Sequence, residues 1–227
     1  MKKLALFVEG QAERIFFGRL LREIAGRQNI ALQTQQQFRG RFETLESDIV
    51  GDQSYFALLA DCSADSRVLS AIIERHKSLE QSGYDLVVGV RDLYPQRRED
   101  LNELVAETGR CLPVEVPPCK LFFAVMELEA WFMQEDRHFP HIGAACTREN
   151  ILKVTGFDIV DGFAEDLPRP STSLNLSYRL SGAEYKKKAW QVQTTVDALD
   201  IEYLCLDRVE RLDSLRLVVE ELNDFFS

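Results

Sequence analysis

The chain has 227 residues, 45% hydrophobic and 28% charged, the balance of a globular protein with one large or two small domains and enough apolar material to bury a core unaided. Its net charge of −10 and pI near 4.9 argue against a tight, indiscriminate grip on a polyanion, which depends on clustered Lys and Arg. No apolar run approaches the ~20 residues needed to span a bilayer, and there is no nucleophile elbow, Gly-x-x-x-x-Gly-Lys phosphate loop or dinucleotide glycine triad.

The first element is an uninterrupted apolar run, residues 4–8, which reads as a strand buried on both faces of a parallel sheet. It is too short for a secretory signal and is broken by Glu9, so it is read as structure in a cytoplasmic protein. Gly10 permits a tight turn, and residues 11–25 carry Ile15, Phe16, Leu20, Leu21 and Ile24 on one helical stripe. Glu9 therefore falls at the carboxyl end of a strand, where open α/β sheets collect ligands and reacting groups. A plainer role for Glu9 and Glu13 is to complement the positive end of the following helix. Arg14, Arg19, Arg22 and Arg27 lie on or after this helix, and Arg39 and Arg41 in the loop beyond it. Most such basic runs are solvated faces.

Residues 55–60 form the next strand, followed by Asp61 and a helix over 63–81 with Val68, Leu69, Ile72, Ile73 and Leu79 on its apolar side. After Ser82-Gly83, the β-branched and apolar stretch 84–90 runs into Arg91-Asp92, so a second strand ends in an acid. A further strand, 120–126, opens into Glu127-Leu128-Glu129-Ala130-Trp131. This alternation implies βαβ units: an α/β fold with a mainly parallel, Rossmann-like sheet and helices on both faces.

Beyond residue 137 the pattern changes, giving an α/β core over 1–137 and a loop and helical C-terminal extension over 138–227 packed on it. Pro140, Pro168 and Pro170 and the polar stretch 170–175 read as loop. A short helix is expected near 147–154, capped by Thr147 or Asn150 and stopped by Gly156. Helices are also expected over 183–199 and 212–226, with Trp131 and Trp190 as core anchors. The five cysteines are odd in number and lack a Cys-x-x-Cys, as for reduced thiols, and Pro140 between His138 and His141 makes a zinc site there a poor reading.

Three segments together carry a resemblance: Phe7-Val8-Glu9-Gly10-Gln11-Ala12-Glu13, Arg91-Asp92-Leu93-Tyr94-Pro95 and residues 123–131. In this order they resemble the Toprim (topoisomerase and primase) domain, and more closely a bacterial Toprim-like family related to OLD-type nucleases. The likeness also touches residues 178–189 and the final helix. It implies a Toprim-like core, with the glutamate matching Glu9 as general acid or base and the aspartate matching Asp92 as metal ligand. Toprim enzymes carry an Asp-x-Asp pair at the second junction, whereas Tyr94 stands here in place of the second acid.

On this reading the catalytic residues are Glu9, Glu13 and Asp92, and the metal ligands Glu9, Asp92, Glu127 and Glu129, with Glu127 favoured over Glu129 for direct contact. Clustered carboxylates repel one another unless a cation neutralises them, and hard oxygen donors select Mg²⁺ or Mn²⁺. Arg91, Arg97, Arg98 and Lys186 are the expected substrate-binding residues, Arg97-Arg98 following Asp92 closely enough to hold a phosphate. The implied activity is metal-dependent phosphodiester hydrolysis of nucleic acid, in phage defence beside a partner ATPase. The acid lost at Tyr94 leaves a second reading, a non-catalytic Toprim-like subunit that assembles with a partner. DNA or RNA as substrate, and a homo-oligomer as the assembled form, stay open.

Overall fold

Six strands pair in the order β3-β2-β4-β1-β5-β6. β1 (Lys2–Val8) is central, followed by α1 (Gln11–Ala25), β2 (Ile30–Phe38), β3 (Arg41–Ser47), β4 (Tyr55–Asp61), α2 (Arg67–Gln81), β5 (Leu86–Asp92), α3 (Leu101–Cys111) and β6 (Cys119–Ala124). The computed structural model describes residues 1–64 and 66–227. β1 runs parallel to β4 and β5, β2 parallel to β4, and only β3 is antiparallel to its neighbour. The backbone bonds Val87 N–H to Pro118 O and Leu93 N–H to Ala124 O advance together, so β6 also runs parallel. A mainly parallel α/β sheet of Rossmann-like type is thus present.

Strand pleating gives the sheet two apolar faces, which is why its central strands read as continuous hydrophobic runs. Ala5, Phe7, Phe56, Leu58, Ala60 and Val87 form one face with Val68, Ala71, Ile72 and Leu79 of α2. The alternate residues face α1, whose Gly18 lies close to Leu32 and Leu59. Gly89 is required by contact, since a Cβ there would lie 2.5 Å from Leu121 Cδ1 and 2.7 Å from Ile72 Cδ1.

The β2-β3 hairpin replaces the loop expected around Arg39 and Arg41. Phe38 pairs with Arg41 across a two-residue turn in which Arg39 (φ 48°) and Gly40 (φ 81°) both have positive φ, the geometry of a type I′ turn. Glutamines at 33 and 35–37 had diluted the apolar signal that marks a strand.

The remaining helices are α4 (Glu129–Gln134), α5 (Phe139–Ile142), α6 (Arg148–Thr155), α7 (Pro170–Arg179), α8 (Ala189–Ala198), α9 (Ile201–Tyr203) and the C-terminal α10 (Asp213–Phe226). The chain divides into two compact units. The first comprises Met1–Asp92, Glu99–Phe123 and Glu221–Ser227, and the second Leu93–Arg98 and Ala124–Glu220.

In the second unit, buried Arg208 ties segments together, donating from Nε to Gln134 O at 2.9 Å and from Nη2 to Ile159 O and Val160 O at 2.8 Å. α6 is capped as its sequence indicates, Thr147 Oγ1 accepting the Asn150 N–H and Gly156 adopting the left-handed stop. Residues 170–175, expected as loop, instead begin α7, because proline at the first helical position omits only an N–H that has no helical partner. The helix expected from residue 183 starts only at Ala189, since Lys187 has φ 53° and Gln191 Oε1 accepts the Lys186 and Lys188 amides in a cap. Trp131 is fully buried, but Trp190 is 64% exposed, a correction to its assignment as a core anchor.

Candidate active site

Register decides which acids meet at the carboxyl edge of the sheet. Val8 is level with Asp61 on one side and Val90 on the other, so β4, β1 and β5 deliver Asp61, Glu9 and Asp92 in spatial order. Asp61 and Asp92 share the parity of Leu59 and Val90 and therefore project from the α1 face. With strands ~4.8 Å apart, they stand roughly 10 Å from each other across β1, and Glu9 emerges between them.

Glu9 is held at this edge, its Oε1 accepting the Asp92 backbone N–H at 2.8 Å with Arg91 Nε at 3.8 Å. The Arg91 guanidinium in turn lies 5.4 Å from the centre of the Phe123 ring. Glu13, in the first turn of α1, is buried, as are Glu9 and Asp92.

Asp61 is almost wholly buried. One oxygen, Oδ1, accepts the Ser63 N–H at 2.8 Å, while Oδ2 has an ion pair to Arg14 Nε at 3.5 Å but no hydrogen bond. Burial raises its pKa above the ordinary aspartate value, outweighing the Ser63 hydrogen bond and the Arg14 charge, which act the other way. The sequence carried a signal for this residue, an acid directly after an apolar run as at Glu9, yet Asp61 was not among the expected ligands. Neighbouring Cys62 is no nucleophile at neutral pH, because burial and the Asp61 charge push its thiol up to about 12.

A second constellation lies within the second unit. Glu127 accepts the Ser171 N–H at 2.9 Å, at the start of α7, and the Ser171 hydroxyl at 3.0 Å. Glu129 accepts the Tyr185 hydroxyl at 2.8 Å. Lys187 Nζ lies 2.9 Å from Glu129 and 3.6 Å from Glu127, so one ammonium serves two buried carboxylates. Met126 (φ 62°) and Lys187 (φ 53°) both occupy the left-handed region that non-glycine residues seldom adopt, a strain that concentrates at functional sites.

Lys186, expected to bind substrate, pairs instead with Glu184 at 2.7 Å. Arg98 is ion-paired to Asp166 and donates to Glu165 O, and Arg97 is exposed. Tyr94, standing where a second acid would be, has the Arg169 guanidinium 4.2 Å above its ring.

Hard oxygen donors at one edge suit a magnesium-type ion, which one or two carboxylates hold together with water and phosphate. The buried Asp61 oxygen without a hydrogen bond fits such an ion. Among the described residues, no group of three or more His, Cys, Asp or Glu side chains is arranged to hold a metal, so any protein contribution is a sparse one.

Fold and site together define an α/β protein with a Rossmann-like sheet and an acidic carboxyl edge. No protein-family model and no curated protein matches the chain. A crystal structure from Lactobacillus plantarum WCFS1, described as a "putative cell surface hydrolase", aligns with 61% of this chain and 57% of its own at 11% identity and a TM-score of 0.31. A likeness that slight carries no argument about activity. Among the described residues, no helix is long and apolar enough to cross a membrane.

Proposed function

We propose that the chain is a Toprim-like, metal-dependent phosphodiester hydrolase acting on nucleic acid in the cytoplasm, in phage defence beside a partner ATPase. The observation that supports it most is the Glu9 carboxylate bonded to the Asp92 amide, because two acids 83 residues apart in the chain meet at the ligand-binding edge of the sheet. Glu9 and Asp92 would hold Mg²⁺ or Mn²⁺ at this edge, with water and substrate phosphate completing the coordination. A divalent ion supplies Lewis acidity toward a phosphoryl oxygen. Glu9, kept in one orientation by the Asp92 amide, moves the proton, and Glu13 supports it from the first turn of α1. Arg91 meets substrate phosphate; its Nε is buried without a hydrogen bond.

The Arg169–Tyr94 stack favours a second reading, in which the missing second acid leaves a non-catalytic subunit that assembles with a partner. Incubation with a panel of DNA and RNA in Mn²⁺ separates the two. Cleavage by the wild type should fall at least ~100-fold in Glu9→Gln and in Asp92→Asn, the scale of a lost general acid or base. Cutting by Glu9→Gln at the wild-type rate would exclude the catalytic assignment, and no cutting by any form would favour the subunit.

A further inference from the structure

The turn at Lys187 separates a run of three lysines. Lys187 is spent on Glu127 and Glu129, while Lys186 and Lys188 stay exposed. Exposed Arg179, at the end of α7, joins them: Lys186 by hydrogen bond, then Arg179 and Lys188 by charge, all hold the Glu184 carboxyl below the usual range. Lys186 Nζ lies 2.7 Å from Glu184, and exposed Lys188 and Arg179 flank that pair in the chain, in a protein of net charge −10. Two residues after Lys188, in the first turn of α8, Trp190 is 64% exposed.

We infer that Arg179, Lys186, Lys188 and Trp190 form a grip for single-stranded nucleic acid, the cations following the phosphates and the indole stacking on an unpaired base. This deepens the proposed function by naming the substrate class, and it rests on that reading for its biological role. Besides small Ala189, the exposed α8 surface is polar at Gln193, Thr194 and Asp197, so Trp190 is not part of an extended apolar face fit for a bilayer or an apolar protein partner. An exposed flat aromatic two residues beyond Lys188 matches the sequence-tolerant stacking of single-strand binders, and a base paired within a duplex offers no such face.

The test uses the whole chain in EDTA, so that binding is read without cleavage. Fluorescein-labelled oligo(dT) is titrated by anisotropy while tryptophan emission is followed, Trp131 being fully buried. We expect quenching on binding and a loss of affinity of about tenfold or more in Trp190→Ala, the effect of one stacked base, with recovery in Trp190→Phe. The Lys186→Gln, Lys188→Gln double variant should flatten the salt dependence by roughly 1.4 in log–log slope, at about 0.7 per phosphate contact on a single strand. Wild-type affinity in Trp190→Ala, equal or tighter binding to a duplex of the same length, or Trp190-dependent binding to phosphatidylserine vesicles in place of the oligonucleotide would each overturn the inference. Trp190-dependent oligonucleotide binding without metal-dependent cleavage would support the grip and remove the proposed reaction.

Discussion

Asp61 is an edge residue whose protonation bears on stability. Burial raises its folded-state pKa above the ordinary 3.8, so the native protein holds this proton more tightly than the unfolded chain does. Its contribution is therefore greatest below about pH 4 and is lost as pH rises through the raised value. Asp61→Asn lacks that dependence, so its melting temperature relative to wild type should climb between pH 3.5 and 7. A constant difference across that range would contradict the burial of this charge. Lys187 makes a second residue-scale case. Lys187→Ala would leave Glu127 and Glu129 sharing no ammonium, and breaking a buried pair costs 3–5 kcal/mol, which the partial exposure of Lys187 reduces to about 2 kcal/mol. A denaturant midpoint unchanged by that substitution would make the contact incidental.

At the scale of elements, close approach of α2 to β5 depends on the missing side chain at Gly89. Gly89→Ala would press a Cβ against Leu121 and Ile72 and should cost about 1–3 kcal/mol as overpacking, read as a lower midpoint in urea. Thr147→Ala removes the cap of α6 and should cost about 1 kcal/mol. The elements that local chemistry dictates were readable from the amino acids alone. Buried parallel strands show as unbroken apolar runs, and the cap of α6 as Thr147 with Gly156. The β2-β3 hairpin was hidden because Arg39-Gly40 is not a common turn pair and glutamine is neutral to periodicity. α7 was hidden behind a proline that both ends and begins helices, and the late start of α8 depends on a left-handed Lys187 that no propensity anticipates.

For the molecule as a whole, the meeting of Glu9 with Asp92 was legible because both acids terminate apolar runs, and parallel pairing aligns such ends. Which lysine reaches Glu127 and Glu129, and whether Trp190 is inside or outside, depend on tertiary placement that spacing does not encode. The proposed reaction requires the acidic carboxyl edge to bind a divalent cation. The most direct measurement is anomalous diffraction at the manganese edge from crystals soaked in millimolar MnCl₂. A peak is expected within coordination distance of Glu9 or Asp92 carboxylate oxygens, and it should disappear in Asp92→Asn crystals. A well-ordered edge with no peak there in the wild type would contradict the proposed reaction.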